Sequence, residues 1–422
     1  MHDDAVYPCF MNRVVITGLG CVTPIGVTAA AVWRSLEQGV SGIVALPPDD
    51  ASLKFRNAGQ IEMLDVSTLS HGQMQTSERC AQMAILAARQ AVAESALTQH
   101  HAAEKIAIIL GCSTTGRQAE EPEIAKVYTQ NARVHPLTIA RSMSSNGTSQ
   151  VAIDHHITGP AFTLSTACAS GAHAIGLAFQ MVRSGLVTGA LAGAHEAPLT
   201  RAFLRAWDSM RVVSPTHCRP FSSDRDGMSL AEGAAVLAIE TLDAAMARNA
   251  PIYAEILGFG MATDAHHITQ PLVAGPAQAM NACLKDSAQT MGCTVDEVRE
   301  QISYINAHAT ATQANDITEA AAIRTVFGAR SAEIAVSGTK GFHGHCLGAS
   351  SAIEVAITAL ALQHRRAPFT LGTDTPDPAL GLNIIVDAPM PLAPAGRVIA
   401  LSNALAFGGL NAVLCLASYQ NE

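Results

Sequence analysis

The chain is 422 residues long, 49% hydrophobic and only 14% charged, with a formal net charge of −9. That acidic balance, without any run of basic residues, excludes a general nucleic-acid binder, because phosphate neutralisation needs clustered Lys and Arg. Every apolar stretch is interrupted before bilayer-spanning length, by Gln180 and Arg183 for example, so no membrane insertion is expected.

The length allows two or three ordinary domains or one large α/β unit. Met1-His2-Asp3-Asp4-Ala5 is acidic and lacks an apolar core, unlike a secretory signal. Ten cysteines without a C-x-x-C pair read as a reduced, cytoplasmic protein. Residues 1–10 read as an N-terminal extension ahead of Met11. Residues 14–18 then form a strand. Residues 76–94 form a helix with Ala81, Ala84, Ile85, Ala88 and Val92 near one face. Further strands are expected at 106–110, 162–166, 189–194, 254–259, 302–305, 334–337 and 398–401, with an Ala/Gly-rich helix over 169–177. This alternation is the signature of a layered α/β fold. Cys168-Ala169-Ser170-Gly171-Ala172-His173-Ala174-Ile175 resembles Gly348-Ala349-Ser350-Ser351-Ala352-Ile353-Glu354-Val355, and both open Ala-rich helices after a strand. Ala/Ser-rich helices also look alike by composition alone, so the pattern by itself leaves a duplication open.

Cys168 sits where a strand gives way to a helix. Backbone N–H groups and the positive helix end there favour thiolate, and the small neighbours leave room for a carbonyl. A buried structural cysteine is the competing reading. Asn306-Ala307-His308-Ala309-Thr310-Ala311-Thr312, Lys340-Gly341-Phe342-His343-Gly344-His345 and Asn403-Ala404-Leu405-Ala406-Phe407-Gly408-Gly409 each follow a strand as well. Open α/β sheets bind ligands outside their strand ends. One Cys and two His meeting there suit acyl transfer followed by enolate chemistry. Neither His343-Gly344-His345-Cys346 nor Asp264-Ala265-His266-His267 supplies a convincing four-ligand zinc set, so no metal is expected. Gly18-Leu19-Gly20 lacks the rest of a dinucleotide fingerprint.

Thr166-Ala167-Cys168-Ala169-Ser170-Gly171, Asn306-Ala307-His308, and Lys340 with Gly344-His345 resemble the Cys-His-His set of the β-ketoacyl-ACP synthases. The resemblance is closest to the elongating, synthase II-like branch of the thiolase superfamily, and polyketide or aryl-polyene ketosynthases fall within it. It runs from Arg13-Val14-Val15-Ile16 to Phe407-Gly408-Gly409-Leu410-Asn411, and includes Arg219-Pro220-Phe221-Ser222-Ser223-Asp224-Arg225-Asp226-Gly227. It implies a thiolase-like five-layer αβαβα sandwich of two similar βαβαβαββ halves, residues 11–253 with the nucleophile and 254–422 with both histidines.

It also implies a cofactor-free decarboxylative Claisen condensation between an acyl group on Cys168 and malonyl-acyl carrier protein. Cys168 and Phe407 would give oxyanion-hole N–H groups, and His308 and His345 would hold the enolate. Lys340 and Glu354 would orient the second histidine. Thr310 and Thr312 would line the malonyl and phosphopantetheine path, with Asp316 and Glu319 as structural hydrogen-bond partners. A true thiolase would need a second cysteine in the C-terminal glycine loop, where this chain has none. A homodimer is expected; the alternative is one subunit of a heterodimeric ketosynthase whose noncatalytic partner sets chain length. Arg133, Arg205 and Arg211 are docking candidates for an acidic carrier.

Three departures bear on substrate. Ala309 replaces a usual Gly, His343 replaces a usual Thr beside the site, and Ala404-Leu405-Ala406-Phe407 replaces the usual Ser-Phe-Gly-Phe gate. Leu405 is smaller than Phe and Ala406 stiffer than Gly. The altered gate points to an unusual acyl chain, polyunsaturated or aryl-capped.

Overall fold

Residues 11–46 and 52–419 are described by the structure, a computed structural model. Residues 1–10, read above as an extension, lie outside the described residues. Eleven strands form the main sheet: β1 (Val14–Val22), β2 (Ile106–Gly111), β3 (Ala161–Leu164), β4 (Gly189–Glu196), β5 (Gly233–Thr241), β6 (Ala254–Thr263), β7 (Ile302–Ala307), β8 (Ala335–Gly338), β9 (Asn383–Ile384), β10 (Ile399–Ala404) and β11 (Leu410–Ala417). Their spatial order is β9-β8-β7-β10-β11-β6-β1-β5-β4-β2-β3. The central strands are mostly apolar and buried on both faces, as strands covered by helices on each side must be, with His195, Glu196 and Glu240 among the buried polar exceptions.

Set aside the edge strand β9 and the two halves share one topology. Counted within each half, the order from the outer edge is third, second, fourth, fifth, first. In both, the second strand runs parallel to the third and fourth, and the fifth runs antiparallel to its neighbours. Only Val14–Ile256, Val15–Glu255 and Ile16–Ala254 pair across the junction. The helices supply the remaining layers. Helix α1 (Arg79–Ser95) covers the outer face of the N-terminal half. Helices α2 (Ser170–Arg183) and α6 (Ser350–His364) lie between the halves, touching strands of both. Helices α4 (Ala274–Met291) and α5 (Gln313–Phe327) cover the far side, and α3 (Arg201–Met210) lies outside the repeat. The result is the five-layer thiolase-like sandwich.

The similar segments at 168–175 and 348–355 open α2 and α6, the equivalent helices of the two halves. These helices approach so closely that a Cβ on Gly171 would stand 2.6 Å from the backbone nitrogen of Ala352. On the outer side, α1 packs directly on β1, where a Cβ at Gly20 would stand 1.7 Å from the carbonyl oxygen of Ala87. Several elements run longer than expected, among them Val14–Val22, Ala254–Thr263 and Ser170–Arg183, and two boundaries shift for a local reason. The helix begins at Arg79 rather than residue 76, because Ser70 and Gln73 cap a separate short helix, His71–Thr76. The strand expected to reach residue 166 ends at Leu164. There the Ser170 hydroxyl accepts the Thr166 N–H at 2.9 Å and donates to the Ala167 carbonyl at 2.6 Å, holding Ala167 at a left-handed φ of 48°.

Candidate active site

The tight turn after β3 lifts Cys168 off the sheet and against the loops that follow β7, β8 and β10. Its sulfur lies 3.2 Å from His345 Nε2, and the reactive atoms of Cys168, His308 and His345 all fall within 4.8 Å of one another. The imidazoles meet edge to face, with centroids 5.4 Å apart. All three residues line a cavity of about 240 Å³ together with Thr310, Thr312, Leu405, Ala406 and Phe407.

The thiol is not the stabilised thiolate that its place before a helix suggests. Burial pushes the Cys168 pKa up to about 11, against the opposing effects of the Lys340 charge and the N–H groups of Phe407 and Cys168 itself. Charge desolvation outweighs the helix end. Those two N–H groups nevertheless stand near enough to the sulfur to favour its charge, beside the place where an oxyanion would form.

Burial, with the Lys340 charge, also holds both catalytic-candidate imidazoles well below the ordinary histidine range, so both are neutral. Their partners set which nitrogen carries the proton. Lys340 is fully buried and can only donate. Its ammonium reaches His308 Nδ1 at 3.3 Å, the His308 carbonyl, and Glu354 Oε1. All three protons are thereby used. His308 Nδ1 must accept, so Nε2 carries the hydrogen. This corrects the expectation that Lys340 and Glu354 orient the second histidine: they orient the first. His345 is held instead by Ser350, whose hydroxyl lies 2.8 Å from Nδ1. Ser350 stands in the quoted repeat segment but carried no sign of this role, because the contact depends on how α6 begins. Burial raises the Glu354 carboxyl to about 7 despite the adjacent ammonium.

Glu319 accepts the backbone N–H groups of His308 and Ala309, each at 2.8 Å, and Asn403 donates to the same carboxylate at 3.3 Å. These bonds hold Ala309 at φ 39°, a strained region for a residue standing where the family usually has Gly. Asp316 accepts from the backbone of Phe221 at 2.7 Å and of Ala311 at 3.2 Å, and burial raises its carboxyl to about 6. The Thr310 and Thr312 hydroxyls lie 2.9 Å apart, and Thr312 also caps α5.

His343 departs from its expected place. Its ring is fully buried, does not line the cavity, and pairs with the Thr339 hydroxyl at 3.1 Å. Burial and the Lys340 charge lower it to about 3, so it is a neutral packing residue behind the site rather than a substrate contact. Two further wall elements escaped sequence reasoning. Trp207, from α3, stacks on Phe407 with centroids 6.0 Å apart. Residues 267–271 form part of the lining and hold the glycine loop, Ile268 accepting the Gly408 N–H at 2.7 Å. The strong amphipathicity of 201–210 was a signal for a helix with one packed face, but not for what that face meets. Of the three docking candidates, Arg205 lies on α3 and Arg211 caps it, beside the cavity-lining Trp207 and Met210. Arg133 is exposed in the segment after the helix Arg117–Gln130, which contributes no lining residue.

Among the described residues, no helix is long and apolar enough to cross a membrane. Residues 11–245 match the family model "Beta-ketoacyl synthase, N-terminal domain" and residues 253–374 match "Beta-ketoacyl synthase, C-terminal domain". The chain is 37% identical to a Rhizobium sp. protein named Nodulation protein E, over 96% of this chain and 98% of that one. It is 35% identical to the 3-oxoacyl-[acyl-carrier-protein] synthase 2 of Synechocystis sp., over 97% and 99%. A solved structure, the ishigamide ketosynthase/chain length factor, superposes with a TM-score of 0.90 at 30% identity, covering 97% of this chain and 100% of that one. A buried Cys-His-His cluster between duplicated halves and these matches over nearly the whole length lead to one conclusion: the chain belongs to the β-ketoacyl synthase family.

Proposed function

We propose that this enzyme condenses an acyl thioester with malonyl-acyl carrier protein, and that Cys168, His308 and His345 do the chemistry. The observation that carries the reading is the 3.2 Å contact between Cys168 Sγ and His345 Nε2, with His308 alongside. In the first half-reaction His345 Nε2 accepts the thiol proton while Nδ1–H donates to Ser350. The sulfur attacks the carrier-bound acyl carbonyl, the N–H groups of Cys168 and Phe407 hold the oxyanion, and the carrier thiol leaves with the proton. The acyl group is now on Cys168.

In the second half-reaction the malonyl thioester loses CO₂, and the electron pair of the broken C–C bond becomes an enolate. Its oxygen receives hydrogen bonds from His308 Nε2–H and His345 Nε2–H. The latter proton position becomes available when the Ser350 hydroxyl turns to donate to Nδ1. Neutral imidazoles suit the task, since an imidazolium would protonate the enolate carbon. That carbon attacks the acyl group, the Cys168 thiolate leaves, and β-ketoacyl carrier is released.

Thr310 and Thr312 contact the incoming malonyl-pantetheine chain, while Leu405 and Ala406 shape the acyl gate. Arg205 and Arg211, beside the mouth, suit an acidic carrier approaching an acidic enzyme; Arg133 would serve from a more distant surface. A gate without the usual Phe and Gly favours polyunsaturated or aryl-capped chains, and a clear kinetic preference for saturated acyl carriers would count against that. The nine described cysteines are all unpaired, which supports a cytoplasmic setting. A second subunit completes the assembly. The exposed edge strand β3, with Phe162 at 38% exposure, suits strand pairing with another copy. Pairing with a chain-length partner is the alternative, favoured by the ketosynthase/chain length factor likeness. Being that noncatalytic partner is disfavoured by the intact cluster. Mass spectrometry after incubation with an acyl carrier tests the chemistry: the acyl mass should appear on Cys168 and be absent from Cys168→Ala. Acylation that persists in the variant would remove the nucleophile from this scheme.

A further inference from the structure

A second buried group of ionisable side chains lies apart from the Cys168 cavity, where the start of α1, the end of β2 and the end of β4 converge. Donor atoms of Cys80, Cys112 and His195 all fall within 4.8 Å of one another. The three residues are buried, with His195 at 0% exposure. A fourth group, the buried carboxylate of Glu78, accepts from the Cys80 thiol through Oε1. The Cys80 and Cys112 sulfurs lie within 4.8 Å of one another, and the Cys112 thiol donates to Glu196 Oε1 at 3.4 Å.

What makes this cluster incomplete as packing is the histidine. Among the described residues neither ring nitrogen of His195 has a hydrogen-bond partner, and Glu78 Oε2 has none either. Buried polar atoms are ordinarily satisfied, so three such atoms beside two thiols are an unpaid desolvation that a ligand would remove. The neighbouring backbone makes room for the ring: a Cβ on Gly147 would stand 2.3 Å from His195 Nε2. Two sulfurs and one imidazole nitrogen supply three of the four donors that zinc takes in a closed site, and the Glu78 carboxylate, in contact with the Cys80 thiol, is the nearest candidate for the fourth. In such a site the donors lie roughly 3.5–3.8 Å apart, so the Cys80, Cys112 and His195 atoms, already within 4.8 Å of one another, need only close up, while the Glu78 carboxylate must turn towards them.

We propose that Cys80, Cys112, His195 and Glu78 bind one structural Zn²⁺, fastening α1 to the ends of β2 and β4. Binding converts both thiols to thiolates, and their two protons leave to solvent with the water shed by the ion. The ion enters as the chain folds, since the donors are closed off in the folded protein. Its role is local: Cys112 leads into Ser113 and Thr114, whose backbone N–H groups bond Glu196 at 2.8 and 3.0 Å. Glu196 in turn accepts the N–H of Gly348 at 3.2 Å, three residues beyond His345. The metal thus anchors a loop that supports the reacting cluster without touching substrate.

The test must separate this site from the Cys168 trio, which also offers three donors. Zinc is quantified by elemental mass spectrometry in the full chain, purified without chelator or metal-affinity resin, and in Cys168→Ala, Cys112→Ser and His195→Ala. The expected result is about one zinc per chain in the unaltered protein and in Cys168→Ala, and a tenfold or greater loss in the other two. Should those two variants fold poorly, the unaltered protein and Cys168→Ala produced with Co²⁺ decide the matter. Both should show thiolate-to-cobalt charge transfer and the intense visible bands of a four-coordinate ion. Metal-free protein, a Cys80–Cys112 disulfide, or zinc that disappears in Cys168→Ala overturns the proposal.

Discussion

Lys340 shows how much one buried side chain can decide. Its three donors hold the His308 ring, the His308 carbonyl and Glu354 together, so its charge fixes the ring that, in the proposed reaction, binds the enolate. Lys340→Ala leaves Glu354 buried without its cation, which should destabilise the fold by about 3–5 kcal/mol. It also frees the His308 tautomer, and malonyl decarboxylation should fall roughly 100-fold or more. Denaturant unfolding and a CO₂-release assay read the two effects separately, and a variant that keeps full decarboxylation would show that the tautomer is set elsewhere. Cys168 carries its own prediction. With a pKa raised to about 11, roughly one thiol in ten thousand is ionised at pH 7 in the free enzyme. Alkylation of Cys168 by iodoacetamide should therefore keep rising with pH beyond 9. A plateau near pH 7 would mean that the sulfur rests as a thiolate.

At the scale of elements, the site depends on where helices begin. The close crossing of α2 and α6 brings Cys168 and the Ser350-bound His345 into contact across the two halves. Gly171 is what permits it, because a methyl there would meet Ala352 Cβ at 2.8 Å as well as its backbone nitrogen. Gly171→Ala should cost about 1–3 kcal/mol in stability through overpacking and slow the acylation of Cys168. An unchanged melting temperature with unchanged acylation would show that the helices can part freely. The turn after β7 rests on Glu319 in the same way. Glu319→Gln replaces one accepting oxygen with a donor facing a backbone N–H. A loss of about 1–3 kcal/mol is expected from the resulting unmade bond, measured by thermal or denaturant unfolding.

For the whole molecule, the duplicated topology explains why the chemistry sits at its centre. Each half alone presents strand ends and a helix start, but the N-terminal half holds the sulfur and the C-terminal half both imidazoles. Among the described residues no strand pairs with the outer edge of β3, and a second subunit is the physical remedy for an apolar edge. Phe162→Asp places a charge on that edge and should shift the protein from dimer towards monomer in sedimentation velocity. A dimer that withstands the charge would move the interface elsewhere on the surface.

The order of residues along the chain is enough to give the alternation of strands and helices, the placing of Cys168, His308, Lys340 and Phe407 at strand ends, and the family. Those features are local: periodicity, small residues and short motifs are written in consecutive positions. The resemblance of the segments at 168 and 348 was ambiguous as text, because Ala-rich helices share composition, and became a duplication only when both halves showed the same strand order. Partners across long separations were decided by tertiary structure alone. Lys340 reaching His308, 32 residues away, rather than His345 depends on how the loop from 338 to 350 threads between helices, and that same threading fixes the contacts within the loop, Ser350 on the second ring and His343 on Thr339. Trp207 meeting Phe407 depends on packing across 200 residues of chain. The protonation of Cys168 followed the same rule: its position before a helix favours charge, but how deeply the fold encloses a sulfur is set by every layer around it, and that desolvation is the larger effect.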